Sequence, residues 1–195
     1  MRRFVFLLVV GAGGTALLVS LGLWQVRRMH WKAGVIAAIE AEVAAPPVAL
    51  DTLAAPARSR DLYRPVTVAG RTTGPEALML TGRAGAGAGF EVIAVFATDT
   101  GRRILLDRGF VPEAGRDAPR PPVALTVTGN LHWPQESDAF TPPPDAATGL
   151  WFARDVPAMA AALDTEPVLV VARDIEGDLQ GIAPVPVSVT GIPNN

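Results

Sequence analysis

Two histidines, His30 and His132, and no cysteine set the limits of the chemistry open to this 195-residue chain. Without cysteine there are no disulfides, no thiolate nucleophiles and no Cys-based zinc or iron–sulfur sites. Two histidines are too few for a multi-histidine metal site within one chain. Neutral imidazole suits haem iron, so His30 and His132 are the candidates for an axial ligand. A lone histidine with no second ligand in sight is more often solvated or held within the fold. His30 lies in a basic helical stretch, and His132 follows a strand beside Trp133-Pro134.

The other chemical signals are weak. A hydrolase elbow needs Gly-x-Ser-x-Gly, and none is present. Gly11-Ala12-Gly13-Gly14 lacks the preceding strand and βαβ context of a nucleotide loop. The segment from Arg83 to Gly89 alternates Gly and Ala without the Lys or Ser/Thr of a phosphate-binding loop, and reads as a flexible loop. The acidic pairs Glu136/Asp138 and Glu176/Asp178 lie in polar, loop-like surroundings, where solvated surface is the expectation. Asp107-Arg108-Gly109 is expected to fix a strand end rather than a substrate. These residues describe a binding or docking protein, not an enzyme.

The elements that position them begin with an apolar run. Phe4 to Trp24 carries only Thr15 and Ser20 as polar side chains and no charge. A 21-residue helix is about 31 Å long, enough for a hydrocarbon core of roughly 30 Å. Trp24 and Trp31 stand where interfacial aromatics would, beside Arg27, Arg28 and Lys32. The run is longer than a signal-peptide core and is followed by Gln25-Val26-Arg27-Arg28, not a small-x-small site, so it reads as an uncleaved anchor. Arg2 and Arg3 balance the basic cluster beyond it, leaving orientation open. Small residues at Gly11, Thr15 and Gly22 either admit a neighbouring helix or are simply tolerated there.

Residues 1–32 therefore read as an anchor with a basic flank, and 33–195 as one domain. That domain carries 12 arginines, no lysine and all 19 acids. An acidic domain without a basic face is a poor nucleic-acid binder. The helical pattern continues from Trp31 to Val43 and stops at Pro46-Pro47. Short β-type runs follow at Tyr63–Thr73, Ala77–Thr81, Glu91–Thr98, Arg102–Val111, Val123–Leu131 and Pro167–Arg173, with a last one expected at Val185–Val189. Thr98-Asp99-Thr100-Gly101 predicts a hairpin turn, and Val156–Leu163 a short helix. Strands at this spacing without alternating helices predict an α+β protein: an N-terminal transmembrane helix, then a mostly antiparallel sheet or small barrel.

Several punctuated segments occur in a telling order. Leu21-Gly22-Leu23-Trp24-Gln25-Val26-Arg27-Arg28 ends the apolar helix, and Tyr63-Arg64-Pro65-Val66-Thr67-Val68-Ala69-Gly70 opens the β domain. Leu105-Leu106-Asp107-Arg108-Gly109-Phe110-Val111-Pro112 and Val127-Thr128-Gly129-Asn130-Leu131 follow. The series closes with Phe140-Thr141-Pro142, then Trp151-Phe152-Ala153-Arg154-Asp155 and Met159-Ala160. In this order, across nearly the whole chain, the segments resemble the Surfeit-locus family of cytochrome c oxidase assembly factors.

The resemblance implies a bacterial inner-membrane protein with its main domain on the periplasmic side. It implies a non-enzymatic role in maturing a haem–copper oxidase by assisting haem a delivery to, or insertion into, the catalytic subunit. The partners it implies are that subunit, the haem a synthesis machinery and membrane lipid. Trp24, Gln25 and Arg28 would sit at the interface. Tyr63, Arg64, Pro65, Asp107, Arg108, Gly109, Trp151, Arg154 and Asp155 are motif residues that either face a partner or hold strand ends together. Family members usually continue from Pro-Asn-Asn into a histidine proposed as a haem ligand and a second membrane helix. Here Ile192-Pro193-Asn194-Asn195 is the end of the sequence. The resemblance thus assigns haem to no residue of this chain: either the sequence is cut short or the protein acts without that ligand. Ile93-Ala94-Val95 also stands where the family tends to carry a proline. The other class of function compatible with an anchor and a β domain is a membrane-anchored envelope scaffold unrelated to haem.

Overall fold

A computed structural model describes residues 2–145 and 148–187, with the side chains of Val5, Leu7, Leu8 and Val9 outside the description. The chain divides into two units, Met1–Ala41 and Glu42–Asn195. The first is formed by the helix α1 (Arg2–Val43), whose last residues already belong to the second unit. Among the described residues no helix is long and apolar enough to cross a membrane. The apolar run seen in the sequence includes the four residues whose side chains are not described. Trp24 is half exposed, and the Arg28 guanidinium lies 5.4 Å from its ring centroid, a cation–π contact. Gln25 and His30 are exposed.

The second unit is a closed barrel of five strands, as a sheet without covering helices tends to be. These are β2 (Pro65–Arg83), β3 (Gly87–Thr98), β4 (Arg103–Pro112), β5 (Ala124–Leu131) and β7 (Leu169–Gly177). Two-residue strands β1 (Val48–Ala49) and β6 (Leu150–Trp151) add to β2 in parallel. The ring runs β2-β3-β4-β7-β5, and β5 returns to pair with β2, from Pro65↔Asn130 to Arg71↔Ala124. All ring pairings are antiparallel except β4 with β7.

The structure merges the expected runs at Tyr63–Thr73 and Ala77–Thr81 into the single strand β2. Gly74, at φ +102, lies in the bulge between Thr72 and Glu76 that lets one strand turn the corner without ending. Tyr63 and Arg64 precede this strand; the positive φ of Tyr63 (67°) marks a turn. The loop expected from Arg83 to Gly89 shrinks to a tight turn, because Gly87, Ala88 and Gly89 pair with Arg83, Gly82 and Thr81. Val185–Val187 form no strand, and residues 188 and 189 lie outside the described residues, as does Ile192–Asn195. The hairpin turn after Thr98 and the helix Val156–Leu163 (α3) lie where the sequence puts them. A short helix, α2 (Arg58–Asp61), leads into β2.

Alternation along the strands sorts the apolar residues into two main faces. Val66, Val68, Phe96, Ile104, Leu106, Val127, Leu131 and Val170 fill the barrel. On the other face Met79, Ile93, Leu105, Leu169 and Val171 meet Trp151, Val156 and Met159, so α3 lies against the outside of the sheet. Asp155 caps α3, its Oδ1 accepting from the Ala158 N–H at 3.0 Å, and Asp164 ends the helix in the left-handed region (φ 53°).

Gly109 fixes the segment that follows β7. It has φ +116, and a Cβ there would stand 2.1 Å from the Ala183 carbonyl oxygen. Phe110 and Ala183 exchange two backbone hydrogen bonds of 2.8 and 2.9 Å at this point. Gly109→Ala is expected to displace residues 182–184 and to cost more than about 1–3 kcal/mol, since backbone strain adds to the lost contact. Thermal unfolding of the full chain followed by far-UV circular dichroism, with proteolysis after residue 178 as a local readout, checks this.

Candidate functional site: a buried ionic cluster beneath helix α3

On β4 the alternation that points Leu105 toward α3 points Asp107 the same way. A bulge then intervenes: Val92 faces Gly109 and Ile93 faces Asp107, leaving Arg108 as the extra residue. The two neighbouring charges part company. Asp107 and Arg108 are both essentially fully buried, and no bond joins them.

Asp107 meets Arg154, which arrives from the turn before α3. The Arg154 Nη1 lies 3.5 Å from Asp107 Oδ2 and 3.1 Å from Glu91 Oε2 on β3. Its other edge is clamped by Glu136, through Nε at 3.1 and 3.2 Å and a closer contact from Nη2 to Oε1. The Arg154 backbone N–H also donates to Glu136 Oε2 at 3.0 Å. One guanidinium thus serves three carboxylates from three segments, with its side chain only 18% exposed. His132, at the end of β5, stacks on Tyr63 at a tilt, with ring centroids 5.3 Å apart, and its Nδ1 is buried without a hydrogen-bond partner.

The electrostatics follow from burial. Burial pushes the Asp107 carboxyl up to about 7; the Glu91 charge adds to this, and Arg154 and the Gly109 N–H oppose it. Glu91 is also raised, chiefly by burial. Burial opposes ionisation of Glu136 as well, but the hydrogen bonds from Arg154 win and hold it below the usual carboxylate range. Arg154 stays firmly charged: burial works against it, and Glu136, Glu91 and Asp107 overcome that cost. Burial and then the Arg154 charge hold His132 neutral, lowering it to about 4.

The remaining motif residues fall into separate groups. Arg108 crosses to the strap after β7, donating to Gln180 Oε1 at 2.8 Å and to the Asp178 carbonyl at 3.2 Å. Asp61, fully buried, holds Arg64 at 3.0 Å and the exposed Arg60 at 3.0 Å. Burial resists its ionisation, but these bonds and the Ala57 N–H keep it below the usual range. Tyr63 is tied to the end of β5, its N–H donating to Leu131 O and its carbonyl accepting from Asn130 Nδ2. Asn130 Nδ2 and Arg173 Nη1 also donate to the Val43 carbonyl, each at 3.2 Å. Trp151 and Pro65 are buried.

Glu136 lies at the surface as expected, its side chain 36% exposed, and its carboxylate is also the bidentate partner of Arg154. One reading from the sequence needs correction. Asp107 and Arg108 do not fix one strand end as a pair: neighbours along a strand point to opposite faces, and these two find different partners. Sequence reasoning also missed Glu91, although a lone acid inside Gly89-Phe90-Glu91-Val92-Ile93 signals a charge that burial must pair. Nothing local marks Glu136.

Among the described residues no group of three or more His, Asp or Glu side chains is placed to hold a metal ion. A pocket of about 190 Å³ lies beside α3 between Trp151, Phe152 and the proline run 142–144. Neither histidine lines it, and it is smaller than the 300 Å³ or so at which small-molecule sites begin. His30 and His132 lie in different units.

The fold and the cluster define a class: a small closed β-barrel headed by a long helix, with its motif charges turned inward to hold segments together. The chain belongs to the SURF1 family, whose model matches residues 13–195. It is 31% identical over 176 residues to Surfeit locus protein 1 of Xenopus tropicalis, covering 78% of this chain and 57% of that protein. It is 32% identical over 170 residues to the SURF1-like protein of Monosiga brevicollis, covering 78% and 65%. Over 96 residues it is 34% identical to the cytochrome oxidase assembly protein SHY1 of Saccharomyces cerevisiae, covering 48% and 25%. The chain thus spans somewhat more than half the length of the animal relatives it matches.

Removing one partner of a buried ionic group costs more than the pair is worth, because the other charges stay behind. Arg154→Met is expected to destabilise the barrel by about 3–5 kcal/mol. Adding Glu91→Gln to it should recover part of that loss by removing a stranded charge. A thermal unfolding series on the full chain checks both; strictly additive losses would contradict the shared cluster.

Proposed function

We propose that this protein is a membrane-anchored assembly factor for a haem–copper cytochrome c oxidase, assisting delivery or insertion of haem a into the catalytic subunit. The observation that carries this reading is the family match over residues 13–195, together with the similarity to a yeast protein named for oxidase assembly. The acidic, lysine-free barrel suits docking on a protein surface rather than on nucleic acid. In this reading Phe4–Trp24 anchors the chain in the inner membrane, and the barrel lies on the periplasmic side. Trp24, Gln25 and Arg28 stand at the lipid boundary, where an aromatic–cation pair is at home. The partners are the oxidase catalytic subunit and the haem a synthesis machinery. The protein acts by holding and orienting them, and the barrel's own described residues are not assigned to the haem.

The half-exposed Arg64, beside β2, is the motif cation best placed to meet such a partner. Arg64→Ala is expected to reduce oxidase maturation at normal protein level; a parallel fall in protein level would make its bond to Asp61 its whole role. The experiment that tests the function is a reduced-minus-oxidised haem spectrum, with oxidase activity, on membranes from cells with and without this protein. Loss of the haem a signal and oxidase activity, with b- and c-type haems retained, is the expected result. Unchanged spectra and activity would overturn the reading and leave an envelope scaffold unrelated to haem.

A further inference from the structure

The charges beneath α3 do not balance. Glu91, Asp107 and Glu136 bring three carboxylates to one guanidinium, with Glu91 Oε2 and Asp107 Oδ2 both within ion-pair distance of Arg154 Nη1. Arg154 Nε and Nη2 are already committed to Glu136; Nη1 donates only a long bond to Asp107, and Glu91 Oε2, though 3.1 Å away, is buried without a hydrogen bond. Among the described residues no other cation is paired with either; Arg83 acts on Glu91 only through its charge. His132 approaches from β5 as an uncharged ring, with no positive charge to offer. From β7 and α3 the neighbours are apolar, Leu169, Val171 and Met159. Among the described residues the further donor to Asp107 is the Gly109 N–H at 3.1 Å. With every acid ionised, two like charges would sit side by side in a buried place that offers them one shared donor edge.

We propose that this cluster is a proton-operated latch on α3: a proton taken from solvent by the Glu91–Asp107 pair closes it, and loss of that proton loosens it. The structural consequence is local. Arg154 is joined directly to Asp155, the cap of α3, and its neighbours Trp151, Phe152, Ala153 and Asp155 form one wall of the pocket. Loosening the latch therefore frees the start of α3 and reshapes that pocket, while the barrel interior, closed by its own ladder, is unaffected.

The sign follows from linkage. Asp107 rises to about 7 in the closed state and returns to the ordinary carboxylate range when exposed, so the closed state binds the extra proton. Its advantage is full only below the ordinary carboxylate range, declines as pH rises from there, and is gone above about 7. For one linked proton the opening equilibrium should increase about tenfold between pH 6 and pH 8. His132 and Glu136, both lowered, titrate well below this window and do not contribute.

Hydrogen exchange on the full chain in detergent, corrected for the intrinsic pH dependence of exchange, tests this. Amides of residues 156–163 should lose about tenfold in protection from pH 6 to pH 8, while those of residues 65–71 and 125–131 keep theirs. Asp107→Asn keeps the size and the acceptor oxygen and should make residues 156–163 indifferent to pH over that range. Equal protection at both pH values in the wild-type chain, or the same loss in Asp107→Asn, would overturn the latch. If that variant does not fold, carboxyl-carbon NMR of the wild-type chain decides: a buried carboxyl titrating near neutrality supports the latch, and all carboxyls titrating below pH 5 overturn it.

Discussion

Strand β2 has to satisfy two neighbours at once, and the rest of the domain depends on its doing so. Its first half pairs with β5 and closes the ring; its second half continues along β3 and receives β6. A flat 19-residue strand could not do both, because the two pairings run along different sides of a curved surface. The bulge at Gly74 supplies the bend. Closure removes the exposed edges that an open sheet of this length would present. It also fixes β4 against β7, and with that the face on which α3 lies.

On that face a charge has been built into what would otherwise be apolar packing. Arg154, Glu91, Asp107 and Glu136 lie at the border of a cluster otherwise made of Met79, Ile93, Leu105, Trp151 and Met159. Apolar residues of similar size would hold α3 at least as tightly, since desolvation offsets much of what an ion pair contributes. What the charges add is register and a condition. Only one rotation of the α3 approach puts the guanidinium between three carboxylates, and their surplus negative charge ties its tightness to proton uptake. Arg108, on the opposite face of β4 from Asp107, is used in the same way, bonding the strap at residues 178–180.

Much of the fold was legible in the sequence. The apolar and alternating runs marked each ring strand, Thr98-Asp99-Thr100-Gly101 marked the hairpin, and Val156–Leu163 read as the short helix. Local chemistry sets these features: period-two apolarity, turn residues, and a cap with a proline in the first turn. The ordered motifs also pointed to the family that the comparison then established. Less legible was the union of two apparent strands into β2, because a glycine that ends one strand and a glycine that bends it look alike along the chain.

The inward use of the motif charges was decided by the tertiary structure alone. Asp107, Arg154, Glu91 and Glu136 are far apart in sequence, and each taken singly reads as a surface charge or a strand end. Their meeting requires the closure of the barrel, the β4 bulge and the docking of α3 together, which are long-range events with no local signature. The sequence by itself determined where the chain would extend, turn and coil, since those choices rest on each residue and its near neighbours. The environment of every charge was settled only when strands distant in sequence came together, because burial and pairing belong to the assembled surroundings and not to the residue.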